Sequence, residues 1–332
     1  MNAVTTKNNG KFVISLDFEL LWGVRDKRTI AGYGENIRGV HTVIPRLLQT
    51  LTQYDTKATF SIVGFLFFEN KTELLNNLPD KLPHYIDKHL SPYDGHFAMV
   101  GENAATDPYH FAPDLIRLIQ KYPEQEIGTH TFSHYYCLED GQLEDDFKSD
   151  LQAAKKMAVK YGIELTSLIF PRNQFNDAYL KVCQEEGILC YRGNEQSWLY
   201  EARNAGDESL SRRALRLVDA YLNISGHHCY RDDYLKSKSP VNIPASRFLR
   251  PWSKKLSKLN KLQLNRIQSG MTYAAKNNLT YHLWWHPHNF GINQDENFAL
   301  LEKILRHYKE LNERFNFQSY TMSALTKMIN TK

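Results

Sequence analysis

The chain has 332 residues, 42% of them hydrophobic, with 41 Lys and Arg against 37 Asp and Glu, for a net charge of +4. That is enough apolar material for one large α/β domain, and too weak a basic balance to indicate nucleic acid. No window approaches the ~18–20 continuous apolar residues of a membrane-spanning helix. The four cysteines, Cys137, Cys183, Cys190 and Cys229, form no CxxC pair and no disulfide framework, which predicts reduced thiols.

The opening segment "MNAVTTKNNGKFVISLDFELLWG" lacks the basic, apolar and small-residue regions of a secretory signal, which predicts a cytoplasmic protein. Within it, "KFVISLDFEL" (11–20) reads as a strand. Val13, Ser15, Asp17 and Glu19 share one face at period two. "TVIPRLLQTLTQY" (42–54) has helical spacing, and "KATFSIVGFLF" (57–67) is a second apolar strand. Strand, helix and strand with short connections make a βαβ unit and predict parallel pairing. The polar, aromatic-rich stretch 70–112 reads as a long loop over the fold.

The alternation then resumes. "PDLIRLIQKYP" (113–123) is a short helix, "EIGTH" a strand, and "EDDFKSDLQAAKKMAVKYG" (144–162) a helix ended by Gly162. "LTSLIFPRN" (165–173) and "ILCYRG" are strands on either side of the helix "DAYLKVCQEEG". From 196 to 275 the pattern loosens. Residues 246–278 carry no Asp or Glu, and Lys254, Lys255, Lys258, Lys261 and Arg266 fall on an expected amphipathic helix. That is an ordinary solvated basic face, or a contact for a phosphate-bearing substrate or an anionic membrane surface. "LTYHLWWHPHNFG" (279–291) is a last strand with a histidine-rich end, and "ENFALLEKILRHYKELNER" a closing helix. Repeated βα units with no repeat or linker predict one elaborated domain, a parallel α/β barrel or an open doubly wound sheet.

The titratable residues gather at strand ends: Asp17 and Glu19 after the first, His130 and His134 after "EIGT", Arg172 after another, His286 and His288 after the last. In parallel α/β folds that rim is where ligands sit. A carboxylate pair in an apolar strand needs a cation beside it, or an arginine or backbone amides to hold it. His130 and His134 would share a face if a helical turn begins at the Thr-rich stretch. Two imidazoles and a carboxylate leave a position open on a zinc-type ion, the catalytic arrangement. His227 and His228 in "ISGHHCY" have no such support and read as structural. Trp252, Trp284 and Trp285 are candidates for a sugar groove or for core.

The ordered set "SLDFE", "HTFSH", "FPRNQ" and "LWWHPH" resembles the polysaccharide deacetylases, the NodB-homology family or carbohydrate esterase family 4. The family has an acidic first motif, then His-(Ser/Thr)-x-x-His, an Arg-Pro-containing motif and a late Leu-x-His. The resemblance covers roughly residues 11–195 and 279–325, with insertions at about 70–112 and 196–278. It implies a distorted (β/α)7-type barrel spanning residues 1–332, and metal-dependent removal of the N-acetyl group from an acetamido sugar. It also implies roles: Asp17 as base, Glu19, His130 and His134 as ligands of a divalent metal, with zinc the expected ion, His286 as general acid, and Arg172 as the group that orients Asp17.

Three departures stand out. The family's first motif usually has adjacent aspartates, whereas here Phe18 separates Asp17 from Glu19, so those two could exchange roles. The third motif reads Pro171-Arg172-Asn173, and His288 is an alternative to His286. "FPRNQ" and "HPHNFG" resemble a branch of surface-polysaccharide and O-antigen synthesis, which implies a surface-polysaccharide substrate or a carrier-linked precursor. The alternatives are hydrolysis of another amide, either a cyclic amide or an N-formyl sugar, or a carbohydrate-binding relative without turnover. A glycosidase is disfavoured, because its carboxyl pair needs ~5 Å or more across a scissile bond.

Overall fold

The structure is a computed structural model that describes residues 9–201, 209–236 and 238–331; residues 1–8 of the opening segment, and 202–208 and 237 of the 196–278 insertion, lie outside the described residues. Nine strands form one sheet: β1 Lys11–Phe18, β2 Ala58–Ile62, β3 Glu126–Thr129, β4 Ser167–Ile169, β5 Cys190–Arg192, β6 Val241–Asn242, β7 Arg247–Phe248, β8 Thr280–Trp285 and β9 Gln318–Tyr320. The order is β6-β5-β4-β3-β2-β1-β8-β7, and every strand pair is parallel. One edge of β1 follows β8 from Lys11 to Leu16; the other meets β9 at Lys11–Val13 and then β2 from Ile14 to Phe18. The sheet curls into a half-barrel with helices outside it, as the distorted-barrel expectation requires.

Period two on β1 gives the barrel its layers. Phe12, Ile14, Leu16 and Phe18 point outward into the main core, against the apolar stripe of the helix Ile30–Gln53. The inward residues change character along the axis. Lys11, fully buried, pairs with Asp232 at 2.6 Å at the bottom. Val13 packs with Ile169, Cys190, Ile243 and the C-terminal helix Met322–Asn330, whose Met322, Leu325 and Ile329 plug the barrel. Ser15 begins a polar layer, accepting from Arg192 at 3.1 Å and lying 2.9 Å from His282 Nε2. Asp17 stands at the top. Neither β9 nor this plug was read from the sequence.

Several boundaries move for physical reasons. The first helix begins at Ile30, capped by Thr29, whose Oγ1 accepts from the Gly32 amide; polar residues in its early turns hid that start. The 70–112 stretch is mostly irregular, with a short helix at Lys71–Leu75. The basic segment is α-helical only over Asn260–Asn277, and Lys254, Lys255 and Lys258 fall in the 3-10 stretch Lys254–Leu259 before it. Arg266 turns inward and donates to the Gly226 carbonyl.

The second insertion is anchored on Asp219, at the end of the helix Leu210–Asp219. Its buried carboxylate accepts from Arg247 (2.6 Å), Tyr200 (2.6 Å) and the Ser225 hydroxyl (2.7 Å). Ser225 also lies 2.7 Å from His228 Nε2, and His227 Nδ1 lies 3.2 Å from Arg266, so both histidines serve this hub. Burial pushes the Asp219 carboxyl up, but Arg247 and these donors overcome it and hold it well below its ordinary value. We predict that Asp219→Ala, by leaving Arg247 buried and unpaired, costs about 3–5 kcal/mol in urea unfolding at neutral pH. The pair's contribution is complete above the unfolded-chain value of ~4 and is lost as pH falls through the lower folded value, so variant and wild type should converge in acid.

Candidate functional site

Glu19 follows β1 directly and points into the rim beside Asp17; both are 3% exposed. The chain then turns sharply, with Leu20 at φ 46°. Gly23 returns against the Glu19 carboxyl, where a Cβ would sit 1.9 Å from Glu19 Cδ. His130 and His134 follow β3, but not on the helical turn that their spacing suggested. Thr131 and His134 both take left-handed backbone, at φ 64° and 61°. The tight loop is held by the Tyr135 amide donating to Thr131 Oγ1 at 2.7 Å. Asp150, from the helix Glu144–Lys160, accepts from the Phe132 and Ser133 amides at 2.7 and 3.1 Å and from the Ser133 hydroxyl.

The result is convergence. His130 Nε2 and His134 Nε2 lie 3.3 and 3.0 Å from Glu19 Oε2. One ligand atom from each of the three residues falls within 4.8 Å of the others, the one such group among the described residues. The His130 Nδ1 lies 2.9 Å from the Ile169 carbonyl oxygen. Donation there fixes the tautomer and leaves Nε2 with its lone pair facing the cluster. Burial pushes the Glu19 carboxyl up, but His286, His130 and His134 outweigh it and hold it well below its usual range. Burial lowers His134 to about 4. A buried carboxylate and two imidazoles with their Nε2 atoms turned to it are a donor set that fits a divalent ion.

Asp17 is held differently. Arg192, fully buried at the end of β5, grips it through two hydrogen bonds of 2.6 and 2.8 Å. The same guanidinium reaches Asn173 at 2.9 Å and stacks on Trp284, 4.0 Å from the ring centre. Burial raises Asp17, but Arg192, with His130 and His286, outweighs it and keeps the carboxyl below its ordinary value. Arg172 does not reach Asp17 at all. It pairs with Asp26 and with Glu139 (3.0 Å), and lies 3.8 Å over the Tyr136 ring. The expectation that Arg172 orients Asp17 is therefore replaced by Arg192. Position decides: Arg172 sits past the end of β4 in left-handed backbone, φ 55°, turned to the outer rim, whereas Arg192 occupies an inward strand position.

His286 stands between the two acids, 3.6 Å from Asp17 Oδ2 and 3.7 Å from Glu19 Oε1, with its side chain 23% exposed. His288 lies behind it, buried, with ring centres 4.9 Å apart and Nδ1 3.8 Å from Glu19 Oε1. Burial and the neighbouring His286 lower His288 to about 3. Only His286 faces the adjacent cavity, of about 280 Å³, walled also by Trp284, Phe248, Tyr200, Asn173 and Arg250. Trp285 is core. The segment carrying both histidines is pressed on the first helix where Gly39 meets Gly291; a Cβ on Gly39 would lie 2.0 Å from the Gly291 carbonyl oxygen.

Arg192 and Asp150 were the residues missed by sequence reasoning. A full charge at an inward position of "ILCYRG" was the available signal for Arg192, since a buried arginine demands an acid. Nothing local marks Asp150, because it sits in a run of surface-like polar residues. Replacing Asp150 with Ala should weaken zinc retention about tenfold or more, by freeing the histidine loop, with Asp150→Asn intermediate. Zinc titration against a competing chelator measures both.

The polysaccharide deacetylase family model matches residues 31–190, just under half of the chain. That span contains His130 and His134 but neither Asp17 and Glu19 nor His286. A search of the curated proteins gives no match. Among solved structures, a Mycobacterium smegmatis protein assigned to the polysaccharide deacetylases aligns at TM-score 0.59 and 14% identity, over 98% of this chain and 92% of that one. A Pseudomonas aeruginosa PAO1 protein of the same assignment gives 0.56 and 9%, over 97% and 91%. Puue allantoinase gives 0.54 and 9%, over 98% and 92%. At such identities the likeness is one of fold. With the polysaccharide deacetylases the chain thus shares a family-model match over residues 31–190 and a fold.

Proposed function

We propose that the protein is a metal-dependent hydrolase that removes the N-acetyl group from an acetamido sugar of a surface polysaccharide or its precursor. One observation carries the reading: a Glu19–His130–His134 donor set beside an arginine-held Asp17 and a half-open His286. Glu19, His130 and His134 would hold the ion. When bound there, a divalent cation such as zinc supplies Lewis-acid polarisation of the acyl carbonyl and acidifies water.

The chain's own residues do the rest. Asp17, ionised and fixed by Arg192, takes a proton from water as it attacks. His286, whose Nε2 lies by the two acids and whose side chain lines the cavity, gives a proton to the departing sugar nitrogen, which leaves poorly as an anion. Arg192 keeps Asp17 in one orientation and in its basic form. Trp284, Phe248 and Tyr200 offer aromatic faces to a sugar ring, and Asn173 and Arg250 polar groups to its substituents. The motifs "FPRNQ" and "HPHNFG" support the surface-polysaccharide branch, and the reading places the enzyme in the cytoplasm. The products are acetate and a free amino sugar.

Elemental analysis should find about one equivalent of metal on the wild type and none on His130→Ala/His134→Ala. Absence of metal from the wild type after zinc loading would remove this mechanism. Acetate release is then screened over acetamido sugars, with a cyclic amide and an N-formyl sugar beside them; turnover of only the latter would redirect the substrate assignment. Asp17→Asn should keep the metal and lose about a hundredfold to ten-thousandfold in kcat.

Arg192 and Arg172 separate by pH profile. Asp17 must be ionised to act, so activity falls as pH drops through its pKa, which Arg192 lowers. Arg192→Lys loses the bidentate grip, so the acid limb of kcat/KM should move to higher pH. In Arg172→Lys that limb should stay in place.

A further inference from the structure

The helix Leu210–Asp219 is built inside out. At about 100° per residue, Arg212 and Asp219 fall on one side and Leu210, Leu217 and Val218 on the other. The structure turns the charged side inward. Arg212 is 6% exposed and donates to the Trp198 carbonyl at 2.6 Å, and Asp219 receives Arg247. Leu210 is 81% exposed, and the apolar exposure runs on through Leu217, Val218, Leu222 and Ile224, with Trp198 beside them at 61%. The inward pairs fix the helix's rotation, because rolling the leucines in would strip Arg247 and Arg212 of their partners. A contiguous apolar face held outward in this way fits an external surface.

Charge selects which surface. Arg213 is exposed on the same side and has no ion pair among the described residues. Arg216 and Ala220, from the same helix and its end, line the cavity that His286 faces. The opposite wall leaves Arg250 and runs into exposed Lys254, Lys255 and Lys258, in a stretch, 246–278, without any Asp or Glu. A second copy of the chain, packed about a twofold axis, would set these cations against their own images. An anionic lipid surface meets both requirements: leucines and a tryptophan enter the boundary between headgroups and acyl chains, and the arginines and lysines meet phosphates.

We propose that this face docks peripherally on an anionic lipid surface, with the mouth of the His286 cavity next to the bilayer. The docking stands apart from the hydrolase reading. Only its consequence, that the amide substrate is met at the membrane, rests on that reading.

The test is co-sedimentation of the full chain with phosphatidylcholine vesicles, with and without phosphatidylglycerol, at ~0.1 M salt. The wild type should sediment with the anionic vesicles and stay in solution with the neutral ones. Leu210→Ser/Leu217→Ser/Leu222→Ser should lose about tenfold or more in partitioning, and Arg213→Glu about fivefold. Circular dichroism melts should match the wild type, since all four side chains are exposed. Failure to bind anionic vesicles, equal binding to neutral ones, or unchanged binding by the leucine variant would each overturn the proposal. So would light scattering that shows a dimer which the leucine variant dissolves, assigning the face to a second copy.

Discussion

A buried ion pair, Asp17 with Arg192, is the constraint on which the upper half of the barrel depends. Two charges taken out of water are costly unless every remaining polar group near them is satisfied. Here Arg192 meets Asp17 twice, Ser15 once and Asn173 once, and lies over the Trp284 ring, with Nε alone left unpartnered. Those contacts tie β1, the turn after β4, β5 and β8 around one guanidinium. Lysine could not do this, because its ammonium has neither the fork nor the flat face. The pair therefore fixes position as well as charge, and the geometry of the candidate site follows from a structural necessity.

The parallel sheet makes that knot possible. All strands point their C-terminal ends at one rim, so inward side chains one register higher than the Ser15 layer arrive together. Beneath them the interior is closed by the Met322–Asn330 plug and the Lys11–Asp232 pair, which excludes water from below. Above them the rim opens into the cavity that His286 lines. A site that is dry underneath and wet on one side suits a reaction that brings one water to a buried carboxylate and then passes a proton outward.

Much of this was legible from periodicity. Alternating strands and helices gave a parallel α/β fold, barrel or open sheet, the resemblance narrowed it to the barrel, and strand-end placement gave Asp17, Glu19, His130, His134 and His286, all of which the structure brings together. What was hidden has physical reasons. A loop built from left-handed residues at Thr131 and His134 has no sequence period, so the four-residue spacing of the histidines suggested a helical turn that does not exist. Arg172 stood at a strand end like the others, but strand-end position does not say which way a turn aims a side chain. Arg192 was hidden in the opposite sense: "CYR" read as strand filler, although Tyr191 faces the outer core and so Cys190 and Arg192 must face inward. The insertion was least legible, since its helix buries Arg212 and Asp219 and exposes its leucines, reversing the pattern on which amphipathic reading relies.

The spacing of the two acids follows from the same geometry. Two adjacent acids on a regular strand would point to opposite faces, so one of them would need a distorted strand end to join the site. In this chain the position between them is Phe18, which goes outward and is fully buried in the main core. Asp17 and Glu19 then both face the rim, yet they enter different surroundings. Asp17 meets a guanidinium, and Glu19 meets three imidazoles, those of His130, His134 and His286. A permanent cation holds a carboxylate ionised and leaves it no vacancy for a metal, whereas the His130 and His134 rings bring ligand atoms of their own beside Glu19. Identical groups separated by their neighbours in this way acquire separate tasks. On the proposed hydrolase reading, the intervening phenylalanine lets the two acids divide the work, with Asp17 on the side of proton transfer and Glu19 on the side of the ion.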